Sequence, residues 1–216
     1  MSVAAKICGV KDRAALAAAV AGGAAYVGFV FYPRSPRNVT PMEAGRLAAA
    51  LPRNVTAVAL AVDPDDALID SILEGAPDIA MFQLHGGETP ARVAEVRART
   101  GKKAMKAIKV SEAADLDAAR SYLSVADMLL FDAKPPADMK NALPGGNAVS
   151  FDWTILSGRS WPLPWMLSGG LDPENVADAI RISGAPAVDV SSGVESAPGV
   201  KDPARISAFL KAVAAA

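Results

Sequence analysis

Short, largely apolar runs recur along the chain at Ala4–Ile7, Tyr26–Val30, Val55–Ala61, Ile79–Leu84, Ala104–Ile108, Met128–Phe131, Trp165–Leu167 and Ala187–Val190. Continuous apolar character over so few residues predicts strands buried on both faces, as in a parallel sheet covered by helices. The segments between them carry helix-start signals. Asp12 precedes an alanine-rich stretch that runs to Ala21 and stops at Gly22-Gly23, and Thr40-Pro41-Met42-Glu43 reads as a capping box with proline at the first helical position. Asp63-Pro64, Thr89-Pro90, Asp172-Pro173 and Asp202-Pro203 open further helices in the same way, Ser111 caps one running towards Tyr122, and Phe151 starts a short one. On Thr89's helix the charged Arg92, Glu95, Arg97 and Arg99 make a solvated face. Eight strands alternating with eight helices predict a single (β/α)8 TIM barrel over residues 1–216. The alternative is an open doubly wound sheet, but Cys8-Gly9-Val10-Lys11 after the first strand lacks the glycines of a dinucleotide-binding turn.

Composition narrows the chemistry. With 51% hydrophobic residues and 22 basic against 23 acidic side chains in 216 residues, the chain has the balance of a soluble globular protein. No Lys/Arg block offers a footprint for nucleic acid or an anionic membrane, and no run is long and apolar enough to span lipid. A single cysteine forms no internal disulfide and no leader precedes the first strand, so a cytoplasmic setting, a small-molecule substrate and a monomer or homodimer are expected.

In a barrel of this kind the site lies at the carboxyl ends of the strands, where Cys8, the Arg34–Arg37 loop, Asp63, His85, Lys109, Asp132, Ser168 and Asp189 through Ser192 fall. Ser168-Gly169-Gly170 and Ser191-Ser192-Gly193 follow strands seven and eight, where barrels commonly hold phosphate, because glycine backbones let N–H groups approach an anion. Cys8 and Asp132, at the ends of strands one and six, face each other as a base and an acid would. Lys6 lies on the same strand face as Cys8 but about 6.5 Å along it, and no help to the thiol is expected from it. His85 is either bonded to a neighbouring loop or in contact with substrate. A Cys-His hydrolase is a competing reading, weakened by the absence of a glycine-rich oxyanion turn beside Cys8. A non-catalytic phosphometabolite-binding barrel is another. One cysteine and one histidine give no metal cluster. The connection from Asp132 to Ser150, with Pro135-Pro136, Pro144 and Gly145-Gly146, is expected to be mobile.

Lys6-Ile7-Cys8-Gly9, Gly28-Phe29-Val30-Phe31 with Ser35-Pro36-Arg37, Gln83-Leu84-His85-Gly86, Leu130-Phe131-Asp132, Phe151-Asp152-Trp153, Leu167-Ser168-Gly169-Gly170-Leu171 and Asp189-Val190-Ser191-Ser192-Gly193-Val194-Glu195 together resemble the phosphoribosylanthranilate isomerase family of tryptophan biosynthesis. The resemblance implies an Amadori rearrangement of a phosphosugar without a cofactor, with Asp132 as general acid and Cys8 as general base. It further implies that Arg37 pairs with the anthranilate carboxylate and that Gly169, Gly170, Ser191, Ser192 and Gly193 hold the phosphate. Asp189 is implied to touch the sugar or anthranilate, or to bond loop amides. The chain departs from the family pattern after Gly145-Gly146, where many relatives carry a further glycine and often Lys-Thr but this one reads Asn147-Ala148-Val149-Ser150. That departure bears on closure of the loop more than on the chemistry.

Overall fold

The computed structural model describes residues 2–136 and 143–216. Eight parallel strands hydrogen-bond in sequence order and the eighth closes on the first, so the expected barrel is formed. The strands are β1 (Ala4–Cys8), β2 (Tyr26–Phe31), β3 (Thr56–Ala61), β4 (Met81–Leu84), β5 (Lys103–Val110), β6 (Met128–Ala133), β7 (Trp165–Leu167) and β8 (Ala187–Val190). Around them lie α1 (Arg13–Ala21), α2 (Pro41–Ala48), α3 (Asp66–Gly75), α4 (Pro90–Thr100), α5 (Asp117–Arg120), α6 (Val176–Ser183) and α7 (Pro203–Ala215). No helix among the described residues is long and apolar enough to cross a membrane.

The expectation of eight α-helices is corrected to seven among the described residues. Among the described residues between β6 and β7 the chain makes a 3-10 turn, Trp153–Leu156, and aromatic rings pack on the outer face of β6. Trp161 and Trp165 pack on Phe131 with ring centroids 4.9 and 5.7 Å away. After β5 the expected helix is cut to a 3-10 turn and the single-turn α5. There the Asp115 carboxylate accepts hydrogen bonds from the Ser111 amide (2.8 Å), the Ser111 hydroxyl (2.9 Å) and the Glu112 amide (3.1 Å). Ser111 therefore donates to Asp115 instead of capping a long helix, the local competition that such side chains offer the backbone.

Thr40, Thr89 and Asp202 cap their helices as expected, Thr40 within a complete capping box. Two starts shift. α3 is capped by Asp65, and Asp63, at a left-handed φ of 45°, is held in the preceding loop, where its amide donates to Glu88 (2.9 Å) and its carboxylate accepts from the Gly87 amide (2.7 Å). α6 begins only after Asn175, because Asp172 accepts from the Glu174 and Asn175 amides and so closes a separate turn. The charges of α4 are also less free than expected, since Arg99 and Arg97 pair with Asp70 and Asp127 of other elements.

Alternation along the strands divides the core in two. Ile7, Phe29, Phe82, Ile108, Phe131 and Val188 point outward under the helices, whereas Val58, Met81, Met105, Met128, Leu130 and Met166 fill the barrel interior. Above that methionine-rich floor the inward positions on four strands are polar: Lys6 and Cys8 on β1, Gln83 on β4 with His85 just after it, Asp132 on β6 and Asp189 on β8, whereas Val30 on β2 and Leu60 on β3 are apolar. After β8 an unexpected hairpin, β9 (Glu195–Ala197) and β10 (Val200–Lys201), turns at Pro198-Gly199, with Gly199 at a φ of 79°.

Candidate active site

The carboxyl ends of the strands surround a cleft with about 750 Å³ of empty space, including its open mouth. Cys8, Arg37, His85, Asp132, Gly169, Gly170, Asp189, Ser191 and Ser192 all line it. Gly193 does not. It supports the site from behind, because its Cα backs directly onto the Leu171 carbonyl and leaves no room for a side chain.

Asp132 is buried and receives two donors. Lys109 Nζ lies 2.8 Å from Oδ2, and the two residues are register partners on β5 and β6. His85 Nε2 lies 3.0 Å from the same oxygen. On its other side His85 Nδ1 accepts from the Gln83 amide at 2.8 Å, which places the ring proton on Nε2, pointing at Asp132. Burial, and then Lys109, lower the His85 pKa, so the ring is neutral. For Asp132, burial alone would raise the carboxyl, but Lys109 and His85 outweigh it and hold the pKa at about 2. The unliganded residue is a carboxylate.

Cys8 is buried to the same degree, with a different outcome. Burial raises its pKa, Lys6 lowers it and Asp189 raises it again, and the net shift is upward. The unliganded residue is a thiol. The Ser191 hydroxyl donates to the Cys8 carbonyl (3.2 Å), joining the first strand's end to the turn after β8.

Arg37 is buried and tied to Glu195 by two hydrogen bonds, Nε to Oε1 at 2.7 Å and Nη2 to Oε2 at 2.8 Å. Its Nη2 also approaches the Gly146 carbonyl at 3.4 Å. Nη1 makes no protein hydrogen bond among the described residues, and Gly146 packs against it. Glu195 also accepts from Lys201 (2.8 Å), which donates to the Ser191 carbonyl (2.8 Å). Burial works against the Glu195 carboxylate, but Arg37 and Lys201 hold its pKa below the usual range.

Of the two glycine turns, the one after β7 has the backbone that only glycine adopts freely. Gly169 and Gly170 stand at φ of 96° and 64°, and a Cβ on Gly169 would lie 2.6 Å from the Ala133 nitrogen. Their neighbour is the β6–β7 connection, of which residues 137–142 lie outside the described residues. In its described part the Asn147 side chain receives the Leu143 amide (2.9 Å) and donates to the Leu143 carbonyl (2.7 Å). Asn147, the departure from the family pattern, thus staples the Pro144–Gly146 turn over the mouth. The Pro144 carbonyl meets Lys109.

Four roles at this site were missed by sequence reasoning: Gln83 as the partner of His85, Lys109 as the partner of Asp132, Glu195 as the partner of Arg37, and Lys201 between Glu195 and Ser191. The turn residues Pro198-Gly199 were the available signal for the hairpin that carries the last two. Lys6 hydrogen-bonds Asp189, and its Nζ and the Cys8 sulfur both lie beside the Cβ position of Gly28, nearer to each other than the strand spacing alone implies. No group of three or more His, Cys, Asp or Glu able to hold a metal ion occurs among the described residues.

Residues 5–212 match the family model described as N-(5'phosphoribosyl)anthranilate (PRA) isomerase. The N-(5'-phosphoribosyl)anthranilate isomerase of Paramagnetospirillum magneticum is 60% identical over 212 residues, 98% of this chain and 97% of that one. The crystal structure of phosphoribosyl anthranilate isomerase from Thermotoga maritima superposes with a TM-score of 0.87 at 34% identity, covering 99% of this chain and 100% of its own. A phosphoribosyl anthranilate isomerase solved with reduced 1-(o-carboxyphenylamino)-1-deoxyribulose 5-phosphate superposes with a TM-score of 0.82 at 33% identity, again over 99% and 100%. A barrel of this form, with this mouth and these relatives along nearly its whole length, belongs to the N-(5'-phosphoribosyl)anthranilate isomerase family.

Proposed function

We propose that this chain converts N-(5'-phosphoribosyl)anthranilate to 1-(2-carboxyphenylamino)-1-deoxyribulose 5-phosphate in tryptophan biosynthesis, with Asp132 as general acid and Cys8 as general base. The observation that carries the residue roles is the placement of Cys8 and Asp132 in one cleft together with the two glycine turns. The phosphate sits on Gly169, Gly170, Ser191 and Ser192, with Gly193 buttressing them, and Arg37 receives the anthranilate carboxylate. Asp189 and His85 border the sugar. Held at both ends, the sugar lies between acid and base.

Asp132 gives a proton to the ring oxygen as the C1–O bond breaks and the anilino nitrogen lone pair forms the C1=N bond. The Cys8 thiolate then takes the C2 proton. The C2–H electron pair becomes a C1=C2 bond and the C=N pair returns to nitrogen, leaving an enolamine. Transfer of the enol proton to C1 yields the ketone, so every atom of the substrate is retained.

Both groups rest in the opposite protonation state from the one these steps use. The productive pair, protonated Asp132 with ionised Cys8, is a fixed small fraction at every pH between the two pKa values.

Adding the purified protein to N-(5'-phosphoribosyl)anthranilate extinguishes the substrate's fluorescence if the reading is right. No loss of fluorescence with intact protein, or undiminished turnover by both Cys8→Ser and Asp132→Asn, overturns it. Sedimentation of the same sample tells a monomer from a homodimer, both compatible with a site contained in one barrel.

A further inference from the structure

Lys6 is a fully buried lysine inside the barrel, one inward position below Cys8. The register of β1 on β8 sets it opposite Asp189, whose Oδ1 accepts from Nζ at 2.8 Å. The other oxygen of Asp189 accepts from the Ser168 hydroxyl at 3.1 Å. An ammonium has three N–H bonds, so one contact with Asp189 leaves two to be directed elsewhere. Gly28 is the register partner of Cys8, and a Cβ there would lie 2.9 Å from Cys8 Sγ and 3.1 Å from Lys6 Nζ. Sulfur and ammonium therefore both close on the same face of Gly28, where a side chain would clash with them.

Resting on the reading of Cys8 as the base, we propose that Lys6 is a positioning residue whose ammonium, anchored on Asp189, holds the ionised sulfur of Cys8 for proton abstraction at the sugar. The charges around the thiol support this. Burial works against the Lys6 ammonium, but Asp189 and Cys8 outweigh it and raise its pKa, so it stays charged. Of the groups acting on Cys8, Lys6 is the strongest that favours the thiolate and Asp189 is the one that opposes it. Lys201 of β10 also favours the thiolate, but its ammonium is committed to the Ser191 carbonyl and Glu195. Arg37, packed on Gly9, is committed to Glu195, and His85 and Asp132 lie across the cleft.

Cys8 is the only cysteine, so the rate of alkylation by iodoacetamide, measured against pH without substrate, reads this thiol alone and needs no turnover. In Lys6→Met the midpoint rises by about one to three pH units, the usual effect of losing a close opposite charge, while the high-pH plateau rate is kept. In Asp189→Asn it falls, and Lys6→Arg keeps it near wild type. A mere loss of packing moves both neutralising variants the same way. If Lys6→Met does not fold with Asp189 left unpaired, Lys6→Met/Asp189→Asn carries the measurement, with a midpoint above that of Asp189→Asn alone. An unchanged midpoint on loss of Lys6, or shifts of one sign in both single variants, overturns the proposal. Full turnover by Cys8→Ser with the midpoint shifts intact would instead overturn the assignment of Cys8 as base.

Discussion

The two sides of the cleft place a titratable group in the same kind of surroundings and reach opposite results. On the β5–β6 side, Asp132 is buried beside the Lys109 ammonium and the His85 N–H, and both point at one oxygen. On the β1–β8 side, Cys8 is buried beside the Lys6 ammonium, but that cation is shared with Asp189. Two donors overcome the cost of burying a carboxylate, whereas a cation shared with Asp189, with the weaker help of Lys201, does not overcome the cost of burying a thiolate. Burial therefore says little about protonation until the sign and number of neighbours are known. Both pairs join register partners on adjacent strands, Lys109 with Asp132 and Lys6 with Asp189, so the barrel uses one geometric device for two purposes.

The comparison is tested most severely by removing the reacting groups themselves. Asp132→Asn and Cys8→Ser should each lower kcat/KM about 10²- to 10⁴-fold, the usual contribution of one positioned acid or base. A loss at only one of them would leave a single-sided mechanism. The next effect is on pH dependence. With Asp132 held at about 2 and Cys8 raised, kcat/KM of the free enzyme should be flat from about pH 4 to 8, because protonating one group and ionising the other change in opposite directions. In Lys109→Met the acid limb should move up by about one to three pH units, and a limb that stays put removes Lys109 as the cause of the low Asp132 pKa.

Stability separates the two sides further. A folded-state pKa of about 2 lies below the unfolded value, so Asp132 stabilises the fold above the unfolded carboxyl's pKa, and that stabilisation is lost as pH falls through about 2. A shift of this size corresponds to roughly 2–3 kcal/mol. Urea unfolding should show a gap between wild type and Asp132→Asn that narrows on going from pH 5 to pH 2, and a constant gap would assign the effect to packing. The smallest effect is expected at the loop. Asn147→Ala removes both side-chain bonds to Leu143, worth about 1 kcal/mol each at most, and should raise KM severalfold with little change in the Cys8 alkylation midpoint.

The strands, three of the five proline-marked helix starts, the thiol and carboxylate at strand ends and the glycine turns were all legible along the chain, because each depends on a local pattern. The shortened helix after β5 was not, since Asp115 captured the amides that a longer helix needs. Nor was the aromatic cover of Phe131 in place of a helix. The hairpin carrying Glu195 and Lys201 left only the faint signal of Pro198-Gly199.

By itself the sequence determined the alternation of buried strands and amphipathic helices, and with it the closed barrel and the face on which Cys8, Asp132 and the glycine turns meet. Only the tertiary structure decided what charge those groups carry. Lys6 and Asp189 stand 183 positions apart, and Arg37 and Glu195 stand 158 apart. Such partners are chosen by strand register and barrel closure, which no local window contains, and in a buried site the nearest charges outweigh a residue's intrinsic preference.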